Sequence, residues 1–289
     1  MAISASMVKE LRDKTGAGMM DCKKALTETD GDMEKAVDWL RQKGLSKAAK
    51  RAGRATSEGL VGFAVTEKAG AMIEVQCETD FVARGEKFQE FTKKLTAQVM
   101  QALPESKEAL LASASVTDAG STIQDLLNGA ISTIGENIQI GKFTKMELGA
   151  PGIIGSYLHS NGKIGVLVEV QTSEAAAGNE AFKDLAKNLA MQIAAVNPLA
   201  VDPAGLDPAL VAREREVYRE KYLAEGKPEK IVEKIVEGAV RKYYTDVCLL
   251  DQPYIRDDKM PISALVKATE KTIGAPIKVV RFVRIQLGA

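Results

Sequence analysis

Apolar residues recur at two different spacings along the chain, and these spacings predict where helices and strands occur. In the first 45 residues they recur three and four positions apart, which predicts three short helices separated by turns at Gly16–Gly18 and Asp30–Asp32. From Gly59 onward apolar and polar positions alternate, which predicts a β-hairpin that turns at Glu67–Gly70. A helix from about Glu86 to Ala102 is predicted to follow this hairpin.

The same pattern occurs a second time. A second hairpin is predicted to turn at Ser160–Gly162, and a helix from about Glu180 to Val196 follows it. The stretch Ser121–Leu148 then matches the stretch Met260–Leu287. Each half is therefore predicted to contain a hairpin, a helix, a second helix and a returning strand. The predicted fold class is α+β, with a three-helix module at the N-terminus and a duplicated α+β core.

The second copy is longer than the first. Phe88 and Phe182 are 94 positions apart, whereas Ile123 and Ile262 are 139 apart, so the second copy has a net insertion of 45 residues. This insertion, at about residues 200–245, has the caps and helix breaks of an antiparallel helical hairpin roughly 25 Å long. Such an arm is expected to be unable to bury its apolar residues by itself. Packing against its own core and association with another chain are equally open alternatives.

These patterns predict three units: residues 1–54, 55–150 and 151–289. The first unit ends in the basic stretch LSKAAKRAGRATSEG, which is typical of a tether more than of a core element. Its cations could contact RNA, but a solvated helix face is the more common role of such a stretch. These cations are Lys47, Lys50, Arg51 and Arg54.

Composition excludes several classes of function. Thirty-nine basic and thirty-nine acidic residues give a formal net charge of zero, which argues against a general nucleic-acid binder. The three cysteines are far apart and lack zinc-binding spacing, so neither a metal nor a disulfide is expected, and a reducing compartment fits. The start lacks a signal peptide and no long apolar run follows, which predicts a soluble cytoplasmic protein without a membrane segment.

Catalytic motifs are nearly absent from the sequence. His159 is the only histidine, no nucleophile elbow occurs, and both Gly-Lys pairs lack the residues of a phosphate-binding loop. An enzyme is therefore the least favoured class, and neither a cofactor nor direct nucleotide binding is expected.

The repeat serves as an internal control for one segment. The first copy has IEVQCETDFVARGEKF (Ile73–Phe88) where the second has VEVQTSEAAAGNEAF (Val168–Phe182), so Asp80–Val82 is matched to Ala175–Ala177. Because the second copy lacks an aromatic there, the fold does not require one. This favours an aromatic that inserts into another molecule, carried on a loop. In the alternative interpretation, Asp80 caps the next helix and Phe81 lies in the core.

Several motifs together resemble bacterial elongation factor Ts, the family of guanine-nucleotide exchange factors for elongation factor Tu. They are MVKELRDKTGAGMMDCKKAL (Met7–Leu26), CETDFVAR (Cys77–Arg84), IGENI (Ile134–Ile138) and GSYLHSNGKIGVLVEV. The resemblance covers essentially the whole chain. It implies a ubiquitin-associated-like N-terminal module, a doubled core, and a helical hairpin that acts as a dimerisation arm.

The resemblance also implies roles for particular residues. Thr79–Val82 would reach the magnesium site of elongation factor Tu, with Phe81 as a wedge and Asp80 anchoring the loop by hydrogen bonds. Lys23 would contact the partner's nucleotide-binding domain. Ile134, Gly135 and His159 match further contact positions of the family.

Elongation factor Tu is therefore the expected partner, alone or in an assembly of two factors with two partners. Neither nucleic acid nor a membrane is an expected partner. Some family members continue past the last strand with a C-terminal helix, whereas this sequence stops at RFVRIQLGA, so that contact is expected to be lacking. The rival hypotheses are a scaffold that recruits ubiquitin-like folds through the three-helix module and an RNA-binding translation protein.

Overall fold

The computed structural model describes residues 3–289. Met1 and Ala2, the first two residues of the predicted unit 1–54, lie outside the described residues. In the described part of the chain, no helix is both long enough and apolar enough to cross a lipid bilayer.

The N-terminal region consists of the three predicted helices. They are α1 (Ala5–Thr15), α2 (Met19–Glu28) and α3 (Met33–Arg51). Ser4 caps α1 and Asp32 caps α3, since each side chain accepts a hydrogen bond from a backbone N–H of the first turn. Gly16 ends α1 in the left-handed conformation, at φ 65°. The ubiquitin-associated-like character of this region stays a prediction.

The predicted tether is wrong over residues 45–51, which continue α3. Ala48 is buried in the core of the first half, and the Arg51 guanidinium donates a 2.8 Å hydrogen bond to the carbonyl of Ile131. Alanine, lysine and arginine favour helix, and the first half supplies a surface that covers one side of this extension. The N-terminal helices are therefore joined to the core by packing as well as by the chain.

The first half of the core has a three-stranded antiparallel sheet in the order β1-β2-β3. Its elements are β1 (Glu58–Val65), β2 (Ala69–Cys77), α4 (Asp80–Arg84), α5 (Glu86–Gln101), α6 (Lys107–Ala112), α7 (Ile123–Ile134) and β3 (Ile138–Glu147). Phe88 and Leu95 of α5 are fully buried against the sheet, together with Ile131 of α7. The predicted hairpin, helices and returning strand of this half are confirmed.

The second half repeats the arrangement with the order β4-β5-β8. Its elements are β4 (Gly152–Leu158), β5 (Ile164–Gln171), α8 (Glu180–Val196), α9 (Pro208–Ala224), α10 (Glu229–Val247), β6 (Pro253–Tyr254), β7 (Asp257–Pro261), α11 (Ile262–Ile273) and β8 (Lys278–Gln286). Met72 of the first sheet and Leu167 of the second are both fully buried in one cluster, so the two sheets share a core. The fold is α+β, as predicted.

Two buried glutamates, which we call the crossed glutamates, each accept a hydrogen bond from the opposite half of the core. Glu74 on β2 accepts a 2.8 Å hydrogen bond from the backbone N–H of Gly288, which follows β8. Glu169 on β5 accepts a 3.1 Å hydrogen bond from the backbone N–H of Gly149, which follows β3. Each carboxylate therefore lies in one half and is satisfied partly by the other.

The insertion of the second half contains α9 and α10, which pack against each other. Val232, Val236 and Val240 of α10 are buried beside tyrosines of both helices. The expectation that the arm cannot bury its own apolar residues is therefore wrong for these valines, because the pairing of the two helices covers them. Val217 and Ile231 remain about half exposed, at 50% and 46%. Association through this arm stays a prediction.

Candidate protein-interaction site

The segment Thr79–Val82 forms the start of a short helix, so the expected loop is wrong. Thr79 is the N-cap of α4, and its Oγ1 accepts a 3.3 Å hydrogen bond from the backbone N–H of Val82. The helix ends at Gly85, which is also the N-cap of α5. The segment is therefore a structured turn with a defined direction.

Phe81 projects from this turn into solvent. Its side chain is 83% exposed, whereas Ala83 on the same short helix is buried. The alternative that Phe81 belongs to the core is therefore wrong. Burial of an exposed phenylalanine ring by a partner yields about 1.5–3 kcal/mol, so this ring is a potential anchor for a protein contact.

Asp80 has a smaller part in the free chain than expected. Its carboxylate pairs with Arg84 at 3.1 Å, and both side chains are substantially exposed. An exposed pair of this kind contributes only about 0.3–0.5 kcal/mol. Neither the capping role nor the anchoring role expected of Asp80 is observed, because Thr79 is the cap and the bonds that hold the segment come from elsewhere.

The matching segment of the second half refines the contrast between the copies. Ser173 is the N-cap of a short 3₁₀ helix, Glu174–Ala176, and Asn179 is the N-cap of α8. Both halves therefore place successive N-caps six positions apart, with five residues between them. With the caps aligned, Glu174 is opposite Asp80 and Ala175 is opposite Phe81, so the expected match of Asp80–Val82 to Ala175–Ala177 is wrong by one position. The carboxylate is shared, and the aromatic is particular to the first copy.

Glu136 holds the segment in place. One of its carboxylate oxygens accepts hydrogen bonds from the backbone N–H groups of Glu78 and Thr79, at 3.0 and 3.1 Å. The other accepts the Thr79 hydroxyl at 2.6 Å. Gly135 ends α7 in the left-handed conformation at φ 96°, and Glu136 directly follows this bend.

Asn137 strengthens the same junction. Its backbone N–H donates to the Glu78 carboxylate at 2.6 Å, and its side-chain amide donates to the carbonyl of Arg54 at 2.8 Å. The sequence interpretation missed Glu136 and Asn137, although both belong to the IGENI stretch. Their partners are nearly 60 and more than 80 positions away, so only the three-dimensional arrangement reveals them.

Cys77 lies under this junction as a buried thiol. Burial, and secondly the negative charge of Glu136, raise the pKa of Cys77 to about 12. The thiol donates to the carbonyl of Thr79 at 3.2 Å. Cys77 is therefore a protonated packing group at neutral pH.

A groove of about 740 Å³ lies beside α4 and extends to the turn of the second hairpin. Asp80 and Arg84 line one part of it, and Ser160 lines another. The halves are joined here, since the backbone N–H of Val61 donates to the carbonyl of Gly162 at 2.7 Å. The groove thus brings α4 and the turn that contains His159 to one side of the molecule.

The four remaining predicted contact residues lie in three regions of the molecule. Ile134 is partly buried at the end of α7, and Gly135 caps that helix, so both lie beside the junction with Thr79. His159 is exposed, with its Nδ1 hydrogen-bonded to the Tyr157 hydroxyl at 3.0 Å. Lys23 is exposed on α2 of the N-terminal helices.

The basic stretch at the end of α3 is largely engaged within the chain. Lys47 pairs with Asp21 at 2.8 Å, and Arg54 lies 3.4 Å from Glu78. Arg51 is bonded to the carbonyl of Ile131. Three of the four cations of the RNA hypothesis thus already have partners, which disfavours that hypothesis.

Comparison with known proteins gives a consistent result along the whole chain. A family model described as "Elongation factor TS" matches residues 78–289, and one described as "Elongation factor Ts, mitochondrial, N-terminal" matches residues 1–52. The chain belongs to the elongation factor Ts family. It is thereby a translation elongation factor, active in protein biosynthesis.

Individual elongation factor Ts proteins are similar over almost their full length. The protein of Nitratidesulfovibrio vulgaris is 59% identical, over 100% of this chain and 96% of its own length. That of Lawsonia intracellularis is 57% identical, over 100% and 99% of the two lengths. The Clostridium novyi protein is 48% identical, over 99% and 93%. The N-terminal elongation factor Ts model ends where α3 ends, at the C-cap Ala52.

Proposed function

We propose that the protein binds elongation factor Tu in its GDP-bound form and accelerates the release of GDP, so that GTP can replace it. The observation that carries the proposal is Phe81, an exposed aromatic held on a structured turn that has alanine at the equivalent place in the second half. Membership of the elongation factor Ts family supplies the partner.

Phe81 acts as a wedge in this mechanism. Because α4 is capped by Thr79 and fastened by Glu136, little conformational freedom of the backbone is lost when the ring enters the partner. The segment Thr79–Val82 approaches the magnesium site of the partner, and Asp80 can exchange its weak pairing with Arg84 for groups near the ion. Loss of magnesium weakens the hold on the GDP phosphates.

Further contacts supply affinity. Lys23 on the N-terminal helices, Ile134 and Gly135 beside the wedge, and His159 on the second hairpin lie on exposed or partly exposed positions in three regions. In the proposed mechanism these contacts are stronger with the nucleotide-free partner than with the GDP-bound one. By reciprocity, they lower the affinity for GDP by the same factor by which GDP lowers the affinity for the exchange factor.

The experiment measures the release of fluorescent GDP from elongation factor Tu. The wild-type chain should accelerate release, and Phe81→Ala should lower the rate at saturating concentration about tenfold, which corresponds to about 1.4 kcal/mol in the barrier. The matched control is Leu103→Ala, another exposed apolar side chain outside the site, which should keep the wild-type rate. A wild-type rate for Phe81→Ala would exclude the wedge, and no acceleration by the wild-type chain would exclude the exchange function.

We also propose that the paired helices α9 and α10 form a dimerisation arm, giving a homodimer or an assembly of two factors with two partners. The exposed Val217 and Ile231 support this proposal. Sedimentation equilibrium should then report a dimer for the wild-type chain, and a monomer for Val217→Glu. A monomeric wild-type chain, with and without elongation factor Tu, would exclude the arm's proposed role.

A further inference from the structure

We propose that Glu136 is a positioning residue for exchange: it sets the orientation of the turn that carries Phe81, without itself contacting the nucleotide. This inference rests on the proposed function and adds a residue to it. The side chain is attached to the end of α7, whereas the turn that it holds begins nearly 60 positions earlier.

The contacts have the form of a clamp. Glu136 accepts two backbone N–H groups with one oxygen and the Thr79 hydroxyl with the other, at distances of 3.0, 3.1 and 2.6 Å. Hydrogen bonds to an ionised carboxylate are shorter and stronger than neutral ones, which agrees with the shortest of the three distances. Because Thr79 is the N-cap of α4, fixing its backbone and its side chain together fixes where the helix starts. The direction of the ring two residues later follows from that start.

The end of α7 is itself well supported. Arg51 of α3 donates to the carbonyl of Ile131 in the last turn of α7, and Asn137 is bonded both to Glu78 and to the carbonyl of Arg54. Glu136 thus holds the turn from a base that is attached to the sheet, to α7 and to the N-terminal helices. Because the end of α7 is fixed in this way, the position of Glu136 determines the position of the turn, which a carboxylate on a mobile loop could not do.

The second half of the chain provides an independent observation. The stretch IGENI (Ile134–Ile138) corresponds to IGAPI (Ile273–Ile277), so the isoleucines and the glycine are retained. Gly274 ends α11 in the left-handed conformation just as Gly135 ends α7. Ala275, however, stands at the position of Glu136.

The wedge and the clamp therefore occur together in the first half and are both replaced by alanine in the second. The second half builds its cap at Ser173 and its short helix without a carboxylate at position 275. The fold of the repeat does not depend on the clamp. This joint replacement is expected if the purpose of the clamp is to orient the wedge.

The test combines three substitutions in the GDP-release assay with elongation factor Tu. Glu136→Ala installs the residue of the second half, so folding should be retained, and circular dichroism checks this. Thr79→Val removes the hydroxyl that both donates to Glu136 and caps α4, and Thr79→Ser restores it. Glu147→Ala, at an exposed glutamate of β3, is the matched control. Each variant is measured over a range of concentrations, which separates the maximal rate from the half-saturating concentration.

If Glu136 positions the wedge, Glu136→Ala lowers the maximal rate about tenfold and changes the half-saturating concentration less than about threefold. Thr79→Val should give a smaller loss, Thr79→Ser should recover it, and Glu147→Ala should match the wild type. The deciding comparison is made in the Phe81→Ala background, where adding Glu136→Ala should slow release no further.

Two results would overturn the inference. One is full additivity, in which Glu136→Ala costs the same tenfold whether or not Phe81 is present. The other is a wild-type maximal rate for both Glu136→Ala and Thr79→Val. Failure of the proposed function gives a different result, since the wild-type chain would then leave GDP release unchanged.

Discussion

Asp125 stabilises the junction between the N-terminal helices and the core in two ways, and its replacement by alanine tests how much each is worth. Its carboxylate accepts the Thr122 backbone N–H at 3.1 Å and the Thr122 hydroxyl at 2.8 Å, which completes a capping box at the start of α7. It also accepts two guanidinium nitrogens of Arg41 from α3, at 2.8 and 3.0 Å. Asp125→Ala removes both interactions at once.

The expected loss is about 1.5 kcal/mol of unfolding free energy. Thr122 remains the N-cap, and losing the two hydrogen bonds that the Asp125 carboxylate accepts from it costs about 1 kcal/mol. The ion pair adds only about 0.5 kcal/mol, because the Arg41 side chain is 59% exposed and water screens the charges. Arg41→Ala alone should therefore cost about a third as much as Asp125→Ala.

Urea unfolding followed by circular dichroism measures these differences. Asp184→Ala, at an exposed aspartate of α8, is the control and should stay within about 0.5 kcal/mol of wild type. If Arg41→Ala lowers the free energy of unfolding as much as Asp125→Ala does, this division is refuted, because the ion pair would then account for the stability that we assign to the capping box.

The pH dependence gives a second check on Asp125. Burial alone would raise the pKa of this carboxyl, but the hydrogen bonds from Thr122 and Arg41 outweigh burial and lower it below the usual value. A lowered pKa in the folded state contributes stability above the unfolded value of about 3.9, and this contribution is lost as the pH falls through the folded value. The difference between wild type and Asp125→Ala should therefore be smaller at pH 3 than at pH 7.

Three further predictions concern other parts of the core. Burial raises the pKa of Cys77 to about 12, so iodoacetamide at pH 8 should modify this thiol only after unfolding, and rapid labelling of the native protein would contradict this. For the same reason, the contribution of Cys77 to the free energy of unfolding should decline as the pH rises above about 8.5, the pKa of the thiol in the unfolded chain. Gly155→Ala should destabilise the chain by about 1–3 kcal/mol in urea unfolding, because a Cβ there would lie 2.5 Å from the carbonyl oxygen of Ala186; an unchanged midpoint would show that α8 can move. Burial alone would raise the pKa of Glu169, but hydrogen bonds, chiefly from Arg281, outweigh burial and lower it. Between about pH 5 and pH 3 the Glu169→Gln variant should therefore lose less unfolding free energy than the wild type, and parallel acid-unfolding curves for the two proteins would exclude this contribution of Glu169.

Much of the architecture could be predicted from residue spacing. The hairpins, the helix at Glu86–Gln101 and its counterpart at Glu180–Val196 follow from local periodicity and from turn residues that lie within the same segments. The repeat doubled the available information, since each half supported the interpretation of the other. The α+β class follows directly from these elements.

The errors occurred where a distant part of the chain decides the local structure. Residues 45–51 resemble a solvated basic tether, and they are helical and packed because α7 lies beside them. The family resemblance assigns an anchoring role to Asp80, and in the free chain the segment is held by Glu136, which no local pattern connects with Thr79. The exposed position of Phe81 could be predicted only because the second copy lacks the aromatic.

The crossed glutamates have a consequence for the relation between the two halves. Glu74 needs a backbone N–H from beyond the last strand of the second half, and Glu169 needs the equivalent group from the first. A single half folded alone would leave a buried carboxylate short of a donor, but two identical halves related by a two-fold axis would satisfy each other reciprocally. In these two contacts the halves of the core resemble the subunits of a homodimer joined into one polypeptide. That linkage allows one half to keep the aromatic and its clamp while the other carries alanine at both places.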